Sequence, residues 1–203
     1  MRPQTIPTYH EVEWNGGTVY VEDQYPHILF AKDGELYDIG SQRTFVIGGA
    51  YSVDKTYRLL YGLGWWPDEQ PSEEIKRRVE ENLDEIDWSV DVVLTHTAPL
   101  KYEPREVFLL GINQSMVDKS AEQWLDTIEE RLDYKNGTAG ITIPLRKSTE
   151  SSLCSITLMN FHKQMTAGMI LTGVTNAVIM GMTFIQMRMA NKYGDVWIAR
   201  LTH

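Results

Sequence analysis

Cysteine is nearly absent, with Cys154 standing alone among 203 residues. One thiol excludes an intramolecular disulfide framework and any zinc site built on several cysteines. Basic clusters are missing as well. No cluster of five Lys and Arg interrupts a chain with 28 acidic and 19 basic side chains. Nucleic-acid backbones attract proteins mainly through neutralised phosphates, so specific nucleic-acid binding is set aside. No basic-then-apolar N-terminal segment reads as a secretion signal, and the expected compartment is the cytoplasm. A Walker-type or dinucleotide-type glycine loop is also lacking. Gly48 and Gly49 read instead as a strand exit that needs permissive backbone angles.

What is present divides near residue 135. Residues 1–135 hold 13 basic and 26 acidic side chains, a charge of −13, whereas residues 136–203 hold 6 and 2, a charge of +4. Seven of the nine Met residues fall in the second part, with dense Thr, Ser and Gly. The two parts do not share one composition, although the full length suffices for a domain with a real core.

The first part reads as α/β. Apolar and β-branched runs at 18–21, 28–31, 35–39 and 44–47 predict strands of a β-meander, with Asp33 and Gly34 supplying a tight hairpin turn. Pro71 falls where a first helical residue should, Glu73 and Glu74 lie near the positive helix end, and Ile75, Val79 and Leu83 recur every four residues. This spacing predicts an amphipathic helix over 71–84. Residues 90–94 form a short apolar run, a buried strand ending at Thr95, His96 and Thr97. A second helix is expected from Ser120 as N-cap, with Gln123 three residues on and Trp124, Ile128 and Leu132 on one face. Meander, helix, strand, helix suggests a mixed sheet with helices outside.

His96 is the position where chemistry could sit. Ligand sites in α/β folds gather past the carboxyl ends of strands, and a His there offers a neutral imidazole nitrogen to a metal. The competing reading is a hydrogen-bonded structural histidine. Tyr51, Asp54, Lys55 and Arg58 follow the glycine pair. Lys and Arg complement phosphate oxygens, so Arg58 is the candidate substrate contact, against the reading of a solvated loop. Glu73, Glu74, Glu80, Glu81 and Asp84 read as a solvated helix face, and His10 and His27 as structural or exposed.

Several stretches carry a resemblance. They are Ile6-Pro-Thr-Tyr-His10, Glu13-Trp-Asn-Gly-Gly17, Phe30-Ala-Lys-Asp-Gly34, Val46-Ile-Gly-Gly-Ala-Tyr-Ser-Val-Asp-Lys55, Pro67-Asp-Glu-Gln-Pro-Ser72 and Val92-Val-Leu-Thr-His-Thr-Ala-Pro99. Ile112-Asn-Gln-Ser115, Val117-Asp-Lys-Ser120 and Trp124-Leu-Asp-Thr-Ile-Glu-Glu130 continue the series. Together they resemble the second half of a bacterial or phage calcineurin-like metallophosphoesterase, over about two thirds of the chain. The resemblance implies a four-layer α/β/β/α sandwich with mixed sheets, here lacking its first half. It also implies two divalent metals (Mn, Fe or Zn), a phosphate mono- or diester substrate, and His96 as the family's single metal-binding His. Paired metals roughly 3.5–4 Å apart deprotonate a bridging water and hold phosphoryl oxygens for in-line attack.

The family supplies ligands from five motifs: Gly-Asp-x-His, Gly-Asp-x-x-Asp, Gly-Asn-His-Glu, the single His and Gly-His-x-His. Only the single His is present. In relatives, the segment resembling Arg2 through Tyr9 follows Gly-Asn-His-Glu almost directly, so Met1 is expected just downstream of that motif. The fifth motif should follow Tyr134 and Lys135, where the chain reads Asn136-Gly-Thr-Ala-Gly-Ile-Thr-Ile143. Codons formed from the third base of each codon and the first two of the next permit Trp-Tyr-Cys-Gly-His-Tyr-His across this stretch. Residues 136–203 are therefore expected to be an out-of-frame, poorly ordered tail behind a metallophosphoesterase-like part at 1–135.

The consequences follow from ligand count. One imidazole cannot hold a dimetal pair, since each metal needs several ligands and an ordered second shell. The chain is expected to bind no metal stably and to be inactive alone. The alternatives are a non-catalytic interaction or structural remnant, or one half of a complemented split enzyme. Incomplete sheets leave edges and apolar faces that favour self-association. Residues 164–186 carry no charge and approach the length of a membrane span, but their Thr, Gly, Asn and Gln content weakens insertion. Residues 189–201 slightly resemble the opening strand of growth-inhibitor-type toxin ribonucleases, from which no activity is expected.

Overall fold

A computed structural model describes residues 6–103 and 117–144, with the strand segments 154–161, 178–179, 182–183, 187–191 and 194–199. Along the chain run β1 (Tyr9–Trp14), β2 (Gly17–Glu22), β3 (Ile28–Ala31), β4 (Leu36–Ile39), β5 (Gln42–Ile47), α1 (Lys55–Leu60), α2 (Glu73–Glu85) and β6 (Val92–Thr95). A 3-10 turn at Leu100–Tyr102, α3 (Ser120–Arg131), β7 (Asn136–Pro144) and β8 (Cys154–Phe161) follow. The remaining strands are β9 (Val178–Ile179), β10 (Met182–Thr183), β11 (Met187–Asn191) and β12 (Gly194–Ala199).

One sheet has the order β1-β2-β3-β12-β11, and a second has the order β4-β5-β6-β7-β8; β9 and β10 pair separately. Asn15 (φ 47°) and Gly16 (φ 90°) close the hairpin of β1 and β2 with two left-handed residues, matching the right-handed strand twist. β1 lies upstream of the runs that predicted strands, because four of its six residues are exposed and it buries no continuous face.

The uninterrupted meander expected through Asp33 and Gly34 is corrected. β3 pairs with β2 and β12, whereas β4 pairs with β5, so the chain changes sheets at this turn. Of the two residues only Gly34 takes a left-handed angle, φ +79°. Its N–H donates to the Val46 carbonyl at 2.8 Å, while the buried Asp33 carboxylate accepts the Gly48 N–H at 2.7 Å. A Cβ on Gly34 would stand 3.1 Å from the Val79 side chain, so the close approach of α2 also requires glycine.

In the second sheet β5, β6 and β7 run parallel, flanked by antiparallel β4 and β8. Side chains alternate across its faces. Tyr37, Ile39, Val46 and Leu94 meet Val19, Val21 and Leu29 of the first sheet. Phe45, Ile47 and Val93 meet Val79 and Leu83 of α2 and Leu125 and Ile128 of α3. Burial on both faces explains why these strands read as near-continuous apolar runs. The chain is a mixed α/β fold with two sheets, and α2 and α3 cover the outer face of the second.

Both long helices begin differently from expectation. Pro71 is buried but precedes the helix; Ser72 is the N-cap, with extended backbone and its hydroxyl accepting the Ile75 N–H at 3.3 Å. A side-chain acceptor at that position outweighs the preset φ of proline. Ser120 is the first residue of α3 rather than its cap. The Asp118 carboxylate accepts the Ser120 N–H at 2.9 Å, which chiefly holds the Asp118 carboxyl below its ordinary range. α1 carries no sequence periodicity to announce it, and none of its side chains is buried.

Position 135, the compositional break, falls between α3 and β7. Residues 136–139 pair with β6, and β12 pairs with β3. Ile112-Asn-Gln-Ser115 lies outside the described residues, as do the Cys154 side chain and most of the uncharged stretch 164–186. Among the described residues no helix is long and apolar enough to cross a membrane.

Candidate functional site

Parallel strands aim their carboxyl ends at one edge, and loops emerging there converge. β5 leaves the sheet at Ile47 into the buried Gly48 and Gly49, where Gly49 has φ +97°. β6 leaves beside it. Ile47 pairs with Thr95, and the His96 N–H donates to the Ile47 carbonyl at 3.2 Å. Thr95 pairs on its other side with Ala139 of β7. His96 thus follows the middle strand of three, between a glycine exit and the strand that begins the basic tail. The Asp33 carboxylate reaches the same edge through Gly48.

α3 secures the loop after β6. The Thr97 hydroxyl donates to Glu122 Oε1 at 3.1 Å, and the Lys101 N–H donates to Asp126 Oδ1 at 3.1 Å. The buried Glu129 carboxylate takes the Tyr134 hydroxyl at 2.7 Å and the Tyr102 hydroxyl at 3.1 Å, and pairs with Lys101. Burial alone would raise the Glu129 carboxyl, but the bonds from Lys101 and Tyr134 outweigh it and hold its pKa low. Burial and the bond to Glu129 push the Tyr134 phenol up, so the network keeps a carboxylate bonded to protonated phenols. Lys119 pairs with Glu103 at 2.5 Å with both side chains largely enclosed.

Glu122 has a different environment. Its Oε2 is enclosed and makes no hydrogen bond among the described residues. Burial pushes its carboxyl up, against the Thr97 bond and the Lys119 charge, while Glu103 adds to the rise. The Thr95 hydroxyl is also enclosed and makes no hydrogen bond among the described residues.

Arg58 lies on α1. Its Nε donates to Asp54 Oδ2 at 2.8 Å and its Nη1 to the Gly64 carbonyl at 3.3 Å. Lys55 stands 4.1 Å from the Trp65 ring centroid and 5.6 Å from that of Tyr51. The two cations are therefore engaged within their own segment. His10 is exposed on β1, 3.6 Å from Asp23, and His27 is exposed between β2 and β3. The acidic face of α2 is partly engaged: Glu80 accepts the Trp124 indole N–H at 2.8 Å, and Asp84 accepts that of Trp88 at 2.5 Å.

Sequence reasoning pointed to His96 and missed Asp33, Glu122 and Glu129. Asp33 reads in the sequence only as a turn residue, and nothing local singles out Glu122 or Glu129, since their partners Thr97 and Tyr102 lie 25 and 27 residues away. Among the described residues no group of three or more His, Cys, Asp and Glu is arranged to hold a metal ion. The described residues by themselves do not supply the ligand set of a dimetal centre. The chain matches no family model, no curated protein and no solved structure in the comparisons made.

Proposed function

We propose that the first part of this chain is the C-terminal half of a dimetal phosphoesterase, within the four-layer sandwich that the motif series implies. In this reading His96 contributes one ligand to a centre whose other ligands lie outside the described residues. The observation that carries the reading is the placement of His96 at the carboxyl end of β6, between the Gly48 and Gly49 exit and the parallel strand β7. Ligand-bearing loops of α/β sheets gather at this edge. A single imidazole holds no pair of metals, so the chain alone is a phosphoesterase fragment without turnover. Incubation with manganese and bis-p-nitrophenyl phosphate should give no hydrolysis above background. Manganese-dependent turnover that disappears in His96→Ala would establish a complete site and overturn the fragment reading.

The frame reading gains support from register. Ala139 is opposite Thr95, so Gly140 follows at the level of His96. Codons spanning residues 139–143 permit Gly-His-Tyr-His when displaced by two bases. The absent fifth motif would then stand beside the single His, where a shared metal centre needs it. The nucleotide sequence across codons 136–143 should contain Gly-His-x-His in that frame; bases that forbid it reject the out-of-frame origin of the basic tail.

A further inference from the structure

The motif Pro67-Asp-Glu-Gln-Pro-Ser72 has no role in the site as described, yet Glu69 and Gln70 reach two separate loops at its margins. The Glu69 carboxylate accepts the Ser52 N–H at Oε1 (3.0 Å) and the Ser52 hydroxyl at Oε2 (2.6 Å), and its backbone carbonyl accepts the Ala50 N–H at 3.2 Å. Gln70 faces the other way. Its Nε2 donates to Asp118 Oδ2 at 3.1 Å, and its Oε1 accepts the Ser120 hydroxyl at 3.3 Å. Adjacent residues thus grip the loop leaving β5 and the start of α3. Both are braced: the Glu69 N–H donates to the Trp66 carbonyl at 3.2 Å, and buried Pro71 and the Ser72 cap of α2 follow immediately.

Both gripped segments lead to hydrogen bonds with the His96–Thr97 stretch. The loop at residues 48–52 continues from Ile47, whose carbonyl takes the His96 N–H. The first turn of α3 carries Glu122, which takes the hydroxyl of Thr97, the next residue after His96. A carboxylate held by two donors of one residue is fixed in orientation as well as distance, and hydrogen bonds to a charged group are among the stronger ones. A carboxamide using both its oxygen and its nitrogen on one helix start is fixed likewise. We propose that Glu69 and Gln70 are positioning residues, a two-residue clamp that sets the spacing of the two loops bracketing His96.

The functional value of the clamp rests on the reading of this edge as the phosphoesterase edge, but its mechanical action is independent of metal. Nuclear magnetic resonance of the metal-free full chain tests it, with the His96 imidazole signals assigned by their loss in His96→Gln. Glu69→Ala removes the acceptor of the Ser52 N–H and should accelerate amide exchange there on the order of tenfold for loss of a charge-assisted contact; Gln70→Ala releases the Asp118 carboxylate that accepts the Ser120 N–H and should accelerate exchange at Ser120 on the order of tenfold likewise. Both substitutions should shift the His96 imidazole signals. Glu69→Gln should leave those signals in place, since a carboxamide can still bridge the Ser52 N–H and hydroxyl. Should an alanine variant fail to fold, Ser52→Ala removes only the hydroxyl arm and should displace His96 in the direction seen or expected for Glu69→Ala. Accelerated exchange confined to the substituted contacts, with His96 unmoved, overturns the clamp. Failure of the chain to show phosphoesterase behaviour in any assembly would leave this outcome unaffected and reject only the functional reading.

Discussion

Glu122 shows how much a single side chain at this edge depends on its enclosure. One carboxyl oxygen takes the Thr97 hydroxyl and the other is enclosed without a hydrogen bond among the described residues. Burial raises its pKa above the usual glutamate value. The folded state therefore binds a proton more readily than the unfolded state, and stability from this group is fully present below the unfolded pKa. It is lost as pH rises through the folded pKa. Glu122→Gln preserves an acceptor for Thr97 and removes the ionisation. Its denaturant midpoint should match the parent near pH 4 and exceed it at pH 7.5, about a half unit below and well above the ordinary glutamate value. An unchanged difference between the two pH values would remove Glu122 as a desolvated carboxyl. His96 was legible at this scale because it ends an apolar run. Asp33 and Glu122 were not, because their partners Gly48 and Thr97 are brought to them only by folding.

At the scale of elements, periodicity decided what could be read. Ile75, Val79 and Leu83 announced α2, and Val79 and Leu83 are fully buried against the second sheet. α1 gave no such signal. Leu60 is 77% exposed, and Tyr57, Leu59 and Tyr61 beside it are more than half exposed. The contrast yields a paired prediction: Leu83→Ala should cost about 2–5 kcal/mol of unfolding free energy, whereas Leu60→Ala should stay within about 0.5 kcal/mol. Chemical denaturation measures both, and similar losses for the two would misplace α1 or α2. Helix starts were less legible than helix bodies. Ser72 displaces Pro71 as the opening residue of α2 through its hydroxyl bond to Ile75, and Asp118 satisfies the amide of Ser120 from outside the helix.

At the scale of the whole molecule, the α/β character was readable while the strand pairing was not. Alternating and continuous apolar runs identify strands, but nothing local indicates that β3 and β4 enter different sheets or that β12 returns beside β3. These pairings depend on faces that become complementary only when distant segments meet. The same limit applies to the proposed site: His96 is visible in the sequence at the end of an apolar run, and no group of three or more candidate metal ligands occurs among the described residues. Under the proposed function, His96 is one ligand of a metal centre that requires a partner half. The most direct measurement is the metal retained after gel filtration of this chain mixed with a phosphoesterase first half carrying Gly-Asp-x-His, Gly-Asp-x-x-Asp and Gly-Asn-His-Glu. The two parts should co-elute, the complex should retain manganese beyond either part alone, and that metal should fall with His96→Ala. A complex whose metal content is indifferent to His96→Ala, or two parts that elute separately, would contradict it.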